Sequence, residues 1–263
     1  MFVMYFISDK GRKFIQNFRY MMIKGSKLRS RKINGREEFY EEKIPEDLHR
    51  SFFLLNMAIE ASLSGNEYSY SLDTNDIITK IYQSITTYND TYRTPTKIPN
   101  KNQFGHPIYY YDSIMQFLSD GTISMFQYMH DSNVSPEKNE MKLVGAIEKM
   151  KRKPHIIAID IDMEELVDEW IEHKEKLVID DATYQIDSIL LRDFTNKTHF
   201  TCVVTYNNQG YAYDGASYST LVPFNWRREL LERSNKYSFE NNVFGNQEYS
   251  TKYSLCLLLY YRI

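Results

Sequence analysis

After Pro45 the apolar residues keep a helical rhythm, and after Pro136 they keep a strand-like one; that single change limits the fold class more than any other feature. In EDLHRSFFLLNMAIEASLSG the residues Leu48, Phe52, Leu55, Ile59 and Leu63 recur at intervals of three or four, and Gly65 closes the run. The spacing predicts a buried helix with a stop signal. TNDIITKIYQSITTY offers Thr74 or Asn75 as an N-cap and sets Ile77, Ile78, Ile81 and Ile85 on one face, which predicts a second helix over 74–88. A third is expected from Tyr109 to Leu118, after the Pro- and Asn-punctuated loop TYRTPTKIPNKNQFGHP. Beyond Pro136 come HIIAIDID, KLVID, YQIDSILLR, HFTCVVTY and GYAYDG, short β-rich runs parted by turn residues, and YSTKYSLCLLLYYRI closes the chain as a long apolar strand. Helices first and strands second is the order of an α+β fold with segregated layers.

The 263 residues suit one domain of 45–263, its helical part at 45–135 and its sheet part at 136–263, preceded by a basic extension over 1–44. That extension carries ten Lys or Arg residues from Lys10 to Arg36 and no acid, with Glu37, Glu38, Glu41 and Glu42 directly after it. Against a net charge of -3 it is a local feature, which reads as a solvated face or flexible arm more readily than as a nucleic-acid site. The two cysteines, Cys202 and Cys256, form no CxxC pair, which excludes a disulfide framework and a cysteine-rich zinc site and fits a reducing, intracellular compartment. No run approaches the roughly 20 apolar residues of a membrane-spanning helix, so no membrane partner is expected.

His199 opens one strand, and Tyr213, Asp214 and Gly215 end the next after a turn at Asn207 to Gly210. A hairpin of this kind sets a His at the start of one strand beside an Asp at the end of the other. A His oriented by a carboxylate is the base half of a nucleophile, base and orienter triad.

The order of these segments resembles the ubiquitin-specific protease family of deubiquitinases, papain-like cysteine peptidases. KPHIIAIDID looks like that family's strand after its Leu-Pro. YQIDSILLRDFTNKTHFTCVVTYNNQGYAYDG looks like its "Y-x-L-x-A-V … G-H-Y-x-A-Y … W-Y-x-F-D-D" block, and YSLCLLLYYRI is similar to its closing "A-Y-x-L-F-Y-x-R". The resemblance covers roughly residues 45 to 263 and implies a helical thumb packed on an antiparallel palm sheet. It makes His199 the general base and Asp214 its orienting acid, with Thr198 where the family has Gly. DSIMQFL looks like a degraded "Q-D-A-x-E-F-L", with Gln116 in place of Glu. The family's zinc fingers need CxxC pairs, so no fingers, no metal and no cofactor are expected.

The nucleophile is missing from the same comparison. The family opens its first buried helix with "N-x-x-N-T-C-Y-x-N-S-x-x-Q", and RSFFLLNMAIE is the matching stretch. Aligning Asn56 with the helix Asn puts Glu60 at the Gln, Phe53 at the cysteine and Leu48 at the oxyanion-hole Asn. Each loss alone removes orders of magnitude in rate. Ser51 lies two residues from Phe53, about 200° around a helix, and is poorly placed as a substitute. Cys202, three residues after His199, faces the other side of its strand. Cys256, in the terminal apolar run, reads as a small buried hydrophobe.

Asp160, Asp162, Glu164 and Glu165 read as the solvated face of a strand edge in IDIDMEE, and His106, His130, His155 and His173 show no ligand spacing. Tyr109 to Tyr111 read as half-buried core residues rather than a base-stacking platform. The expectation is a catalytically inactive deubiquitinase-like protein that binds ubiquitin, a ubiquitin-like modifier or another protein. The alternatives are an active cysteine peptidase whose nucleophile lies elsewhere, and a nucleic-acid-associated protein using the basic arm.

Overall fold

The computed structural model describes residues 21–63, 80, 83, 124–131, 133–161, 175–192, 199–206, 209–214, 222–228 and 255–263. The chain divides into two compact units, one spanning residues 5–123 and the other built chiefly from residues 124–263. The architecture is mixed α and β, with more strand than helix among the described residues.

In the first unit a helical turn at 21–24 leads into the hairpin of β1 (Ser26–Ile33) and β2 (Arg36–Lys43). Asn34 and Gly35 form its two-residue turn with φ of 49° and 78°. Positive φ at both central residues is what a twisted antiparallel hairpin requires, and Asn-Gly adopts it with least strain. The acids that follow the basic stretch thereby come to lie opposite it: Lys27 faces Glu42, Arg31 faces Glu38 and Lys32 faces Glu37. Arg31 lies 3.7 Å from Glu38 and stacks over the Tyr40 ring at 5.3 Å. Lys10, Arg12, Lys13 and Arg19 lie outside the described residues.

Pro45 precedes α1 (Glu46–Leu63), whose first turn carries Glu46 and Asp47 where the helix dipole favours acids. Met21, Met22, Ile44, Leu48 and Phe52 are buried, so the predicted stripe of this helix is the packed one at its N-terminal end. The side chains of Leu55, Ile59 and Leu63 lie outside the described residues. Of the helix expected over 74–88, Lys80 and Gln83 are helical; the rest of it, and the helix expected at Tyr109 to Leu118, lie outside the described residues.

The second unit holds an eight-stranded sheet, counting described residues, in the order β3-β4-β10-β6-β7-β8-β9, with β5 also on β6. Its strands are β3 (Met125–Met129), β4 (Ile156–Asp160), β5 (Lys176–Ile179), β6 (Ala182–Arg192), β7 (Phe200–Tyr206), β8 (Gln209–Tyr213), β9 (Val222–Pro223) and β10 (Leu255–Arg262). Three expectations are corrected here. The stretch after Pro136 is a helix, α2 (Pro136–Glu148), not the start of the strands. A strand, β3, precedes that helix inside the stretch read as the helical part, 45–135. The sheet is also mixed, not antiparallel, because β3 pairs with β4 in parallel and α2 makes the crossover.

The core of this unit joins Leu143 and Ile147 of α2 to Ile157, Ile159, Leu258, Tyr260, Ile189 and Val203 of the sheet. β10 lies between β4 and β6, and Leu257 to Tyr261 are all buried. Burial on both faces accounts for its unbroken apolar text. β4 is buried along its whole length, so Asp160, expected on a solvated face, is a buried residue instead. Alternation of Asp with Ile suggests one wet face, but β4 lies between two other strands and both its faces are covered. Asp162, Glu164 and Glu165 lie outside the described residues.

Two polar devices hold the edges of this layout. Lys153 reaches the carbonyls of Ile147 and Glu148 at 3.2 and 3.3 Å and pairs with Asp180 in the β5–β6 turn. It thus caps the C-terminal end of α2 with a cation and ties the helix to the sheet. β5 occupies β6 at Ala182–Gln185 and β7 occupies it at Ser188–Arg192, which leaves a break at Ile186. The Ile186 N–H donates to Glu175 O at 3.0 Å, and its carbonyl accepts from Arg227 Nη2 at 2.8 Å. Arg227 therefore closes a gap that no strand among the described residues fills, since a buried carbonyl left alone costs about 1–3 kcal/mol.

Candidate functional site

β7 and β8 form an antiparallel hairpin whose last ladder pair is Cys202 with Tyr213. One step beyond it Thr201 stands opposite Asp214, and His199 lies two residues further along the same face of the ribbon. A diagonal offset of two brings long side chains within reach of each other. His199 Nε2 and Asp214 Oδ1 meet at 2.6 Å, with the Asp214 side chain 0% exposed and the His199 side chain 21% exposed. The local hairpin thus brings the sequence-derived pair together.

The chemistry of the pair follows from burial. A carboxylate withdrawn from water needs donors, and an imidazole N–H held against it is a strong one. Because Asp214 takes Nε2, the neutral ring carries its proton there and its lone pair on Nδ1, which makes Nδ1 the basic atom. Thr201 Oγ1 donates to the Tyr213 carbonyl at 2.6 Å, beside the pair. Sequence reasoning missed Thr201; the hairpin register was the signal that finds it.

Cys202 is buried, and strand alternation turns its side chain to the face opposite Thr201 and His199. Burial pushes its thiol above the ordinary cysteine value. A thiol held protonated and on the wrong face is no partner for His199. Cys256 lies in β10, and its side chain is outside the described residues.

The remaining candidates sit in the first unit, on α1. Leu48 is 0% exposed and Phe53 is 44% exposed. Phe53 meets His49 edge-on, with ring centroids 6.4 Å apart. Ser51 is buried, and its hydroxyl donates to Asp47 O at 3.2 Å while Lys80 Nζ approaches it at 3.5 Å. Asn56 is buried and its Oδ1 has no hydrogen-bond partner among the described residues. Glu60 is in α1 with its side chain outside the described residues, as are Gln116, Thr198, His106, His173 and Tyr109 to Tyr111 altogether.

Two further histidines are structural. His155 is buried, and its Nδ1 accepts the Ser124 N–H at 3.1 Å at the start of the β3–β4 pair. His130, at the other end of β3, is buried with Nε2 at 3.2 Å from Asn139 Nδ2. Burial lowers the pKa of both; for His155, with Arg262 and Arg152 adding to the effect, the value falls to about 4. Among the described residues no three His, Cys, Asp or Glu side chains gather in a way that would hold a metal ion, and no helix is long and apolar enough to cross a membrane.

No protein-family profile matches the chain, and no curated protein matches it. Among solved structures, the crystal structure of an essential yeast splicing factor is similar over 79% of this chain at 9% identity, with a TM-score of 0.31. The match spans 53% of that chain's length. A TM-score this low establishes no common fold.

Proposed function

We propose that the chain is a ubiquitin-specific-protease-like binding protein that keeps the base and orienter of such an enzyme and lacks its nucleophile. In this reading His199 and Asp214 are the remnant pair, and Phe53 and Leu48 stand at the nucleophile and oxyanion positions. The papain-like arrangement, a helical thumb on a palm sheet, belongs to the same proposal. The observation that carries it is the 2.6 Å contact of His199 with a fully buried Asp214, while Cys202 lies on the opposite face of the strand. A phenyl ring cannot attack a carbonyl, so what remains for such a scaffold is recognition of ubiquitin or a ubiquitin-like modifier.

Titration of the purified chain with unmodified ubiquitin, and in parallel with a fluorogenic ubiquitin amide, tests this. Saturable binding without turnover is the expected result. Turnover that disappears in Cys202→Ser or Cys256→Ser would make the protein a peptidase, and absence of binding would remove ubiquitin as the partner. The nucleic-acid alternative draws no support from the hairpin, where Arg31 is compensated by Glu38 and the Lys32 position faces Glu37.

A further inference from the structure

We infer that Thr201 is the positioning residue of the His199–Asp214 pair. The β7–β8 ladder ends at Cys202 with Tyr213, so Asp214 is carried on the first peptide beyond the strand pairing. That peptide's carbonyl, Tyr213 O, accepts the Thr201 hydroxyl at 2.6 Å. Thr201 is buried, and so is Asp214. The hydroxyl thus adds a side-chain bond to the carbonyl of the last ladder pair, from the position directly opposite Asp214. It steadies the peptide that leads into Asp214, and so the aim of the carboxylate at His199 Nε2 two residues along the face.

The consequence is chemical as well as structural. Asp214 selects the tautomer with hydrogen on Nε2, as the orienting acid of a triad does, and that leaves Nδ1 as the atom able to exchange a proton or accept a bond from a partner. Thr201 acts one step removed, through the peptide of Asp214. This rests on reading His199 and Asp214 as a retained base and orienter; it does not require that the partner be ubiquitin.

The test is nitrogen-15 NMR of the His199 ring in the full chain, comparing the unaltered protein with Thr201→Val, which keeps the shape and removes the hydroxyl, and with Thr201→Ser, which keeps the hydroxyl. The expected result is a ring dominated by the Nε2–H tautomer in the unaltered chain, a mixture of tautomers in Thr201→Val, and recovery in Thr201→Ser. A Thr201→Val chain that is folded and keeps the tautomer overturns the inference, even if its Tm is lower. If Thr201→Val does not fold, the unaltered chain decides: a Thr201 hydroxyl proton protected from exchange with water supports the bond, and one in fast exchange overturns it. Ubiquitin titration of the same samples separates the two ideas, because hydroxyl-dependent tautomer selection without ubiquitin binding supports the positioning role and removes only the partner.

Discussion

His155 should make this protein acid-sensitive to an extent that can be worked out from its surroundings. The ring is buried at the start of the β3–β4 pair, with Nδ1 accepting the Ser124 N–H, so the neutral form is the one the fold holds. Burial, then the positive charges of Arg262 and Arg152, bring its pKa from 6.5 to about 4. The unfolded chain binds a proton near 6.5 and the folded chain does so only near 4, so protonation between those values favours unfolding. The contribution is therefore fully present above about pH 6.5 and is lost as the pH falls through the window toward 4. The whole gap corresponds to about 3 kcal/mol, of which about 2 kcal/mol is lost between pH 7 and pH 5. The assay is urea unfolding at both pH values, followed by tryptophan fluorescence, to which the fully buried Trp226 of the same core contributes. The reference is His155→Asn, which keeps an acceptor oxygen near the Nδ1 position and does not titrate. The unaltered chain should lose about 2 kcal/mol more than the variant on going from pH 7 to pH 5. Parallel pH profiles for the two proteins would refute the reasoning.

Other substitutions test the second unit's polar and steric devices. Arg227→Ala strips the Ile186 carbonyl of its donor in the break between β5 and β7, and should cost about 1–3 kcal/mol in denaturant unfolding; Arg227→Lys should restore little, because one amine does not reproduce the planar group that also lies over the Trp226 ring. Gly210→Ala would set a methyl carbon 2.3 Å from the Phe224 carbonyl oxygen, so residues 222–226 must shift; the fluorescence of Trp226 should move to the red as water reaches it, and an unchanged spectrum would count against this packing. Asn139 is fully buried, accepts from Tyr128 Oη and the Asp131 N–H at 3.0 Å, and donates to the carbonyls of Asp131 and Val134 at 2.9 and 3.0 Å. Asn139→Ala should therefore cost at least about 2 kcal/mol, since several buried groups lose partners together.

Local signals in the sequence reached as far as local forces decide the outcome. The helical stripe at Leu48 and Phe52, the β-rich runs of β4 to β8 and the apolar β10 were legible because their periods are short. So was the meeting of His199 with Asp214, since one tight hairpin brings it about. α2 was missed because its buried face carries Asn139 beside Leu143 and Ile147, so the apolar rhythm is interrupted by a residue whose burial is explained only by the loop it satisfies. β3 is a five-residue strand whose identity depends on pairing with β4, some thirty residues on. Asp160 was misread for the same reason: whether an alternating strand has a wet face depends on its neighbours in the sheet, and no local pattern reports them. The closure of the Ile186 gap by Arg227 joins positions 41 apart and left no trace in spacing.

The central claim is a base and orienter without a nucleophile, and the most direct test is to incubate the purified chain with ubiquitin bearing a C-terminal electrophile and read the intact mass. No covalent adduct should form under conditions where unmodified ubiquitin binds saturably; an adduct mapped to Cys202 or Cys256 would show that the protein has a working nucleophile.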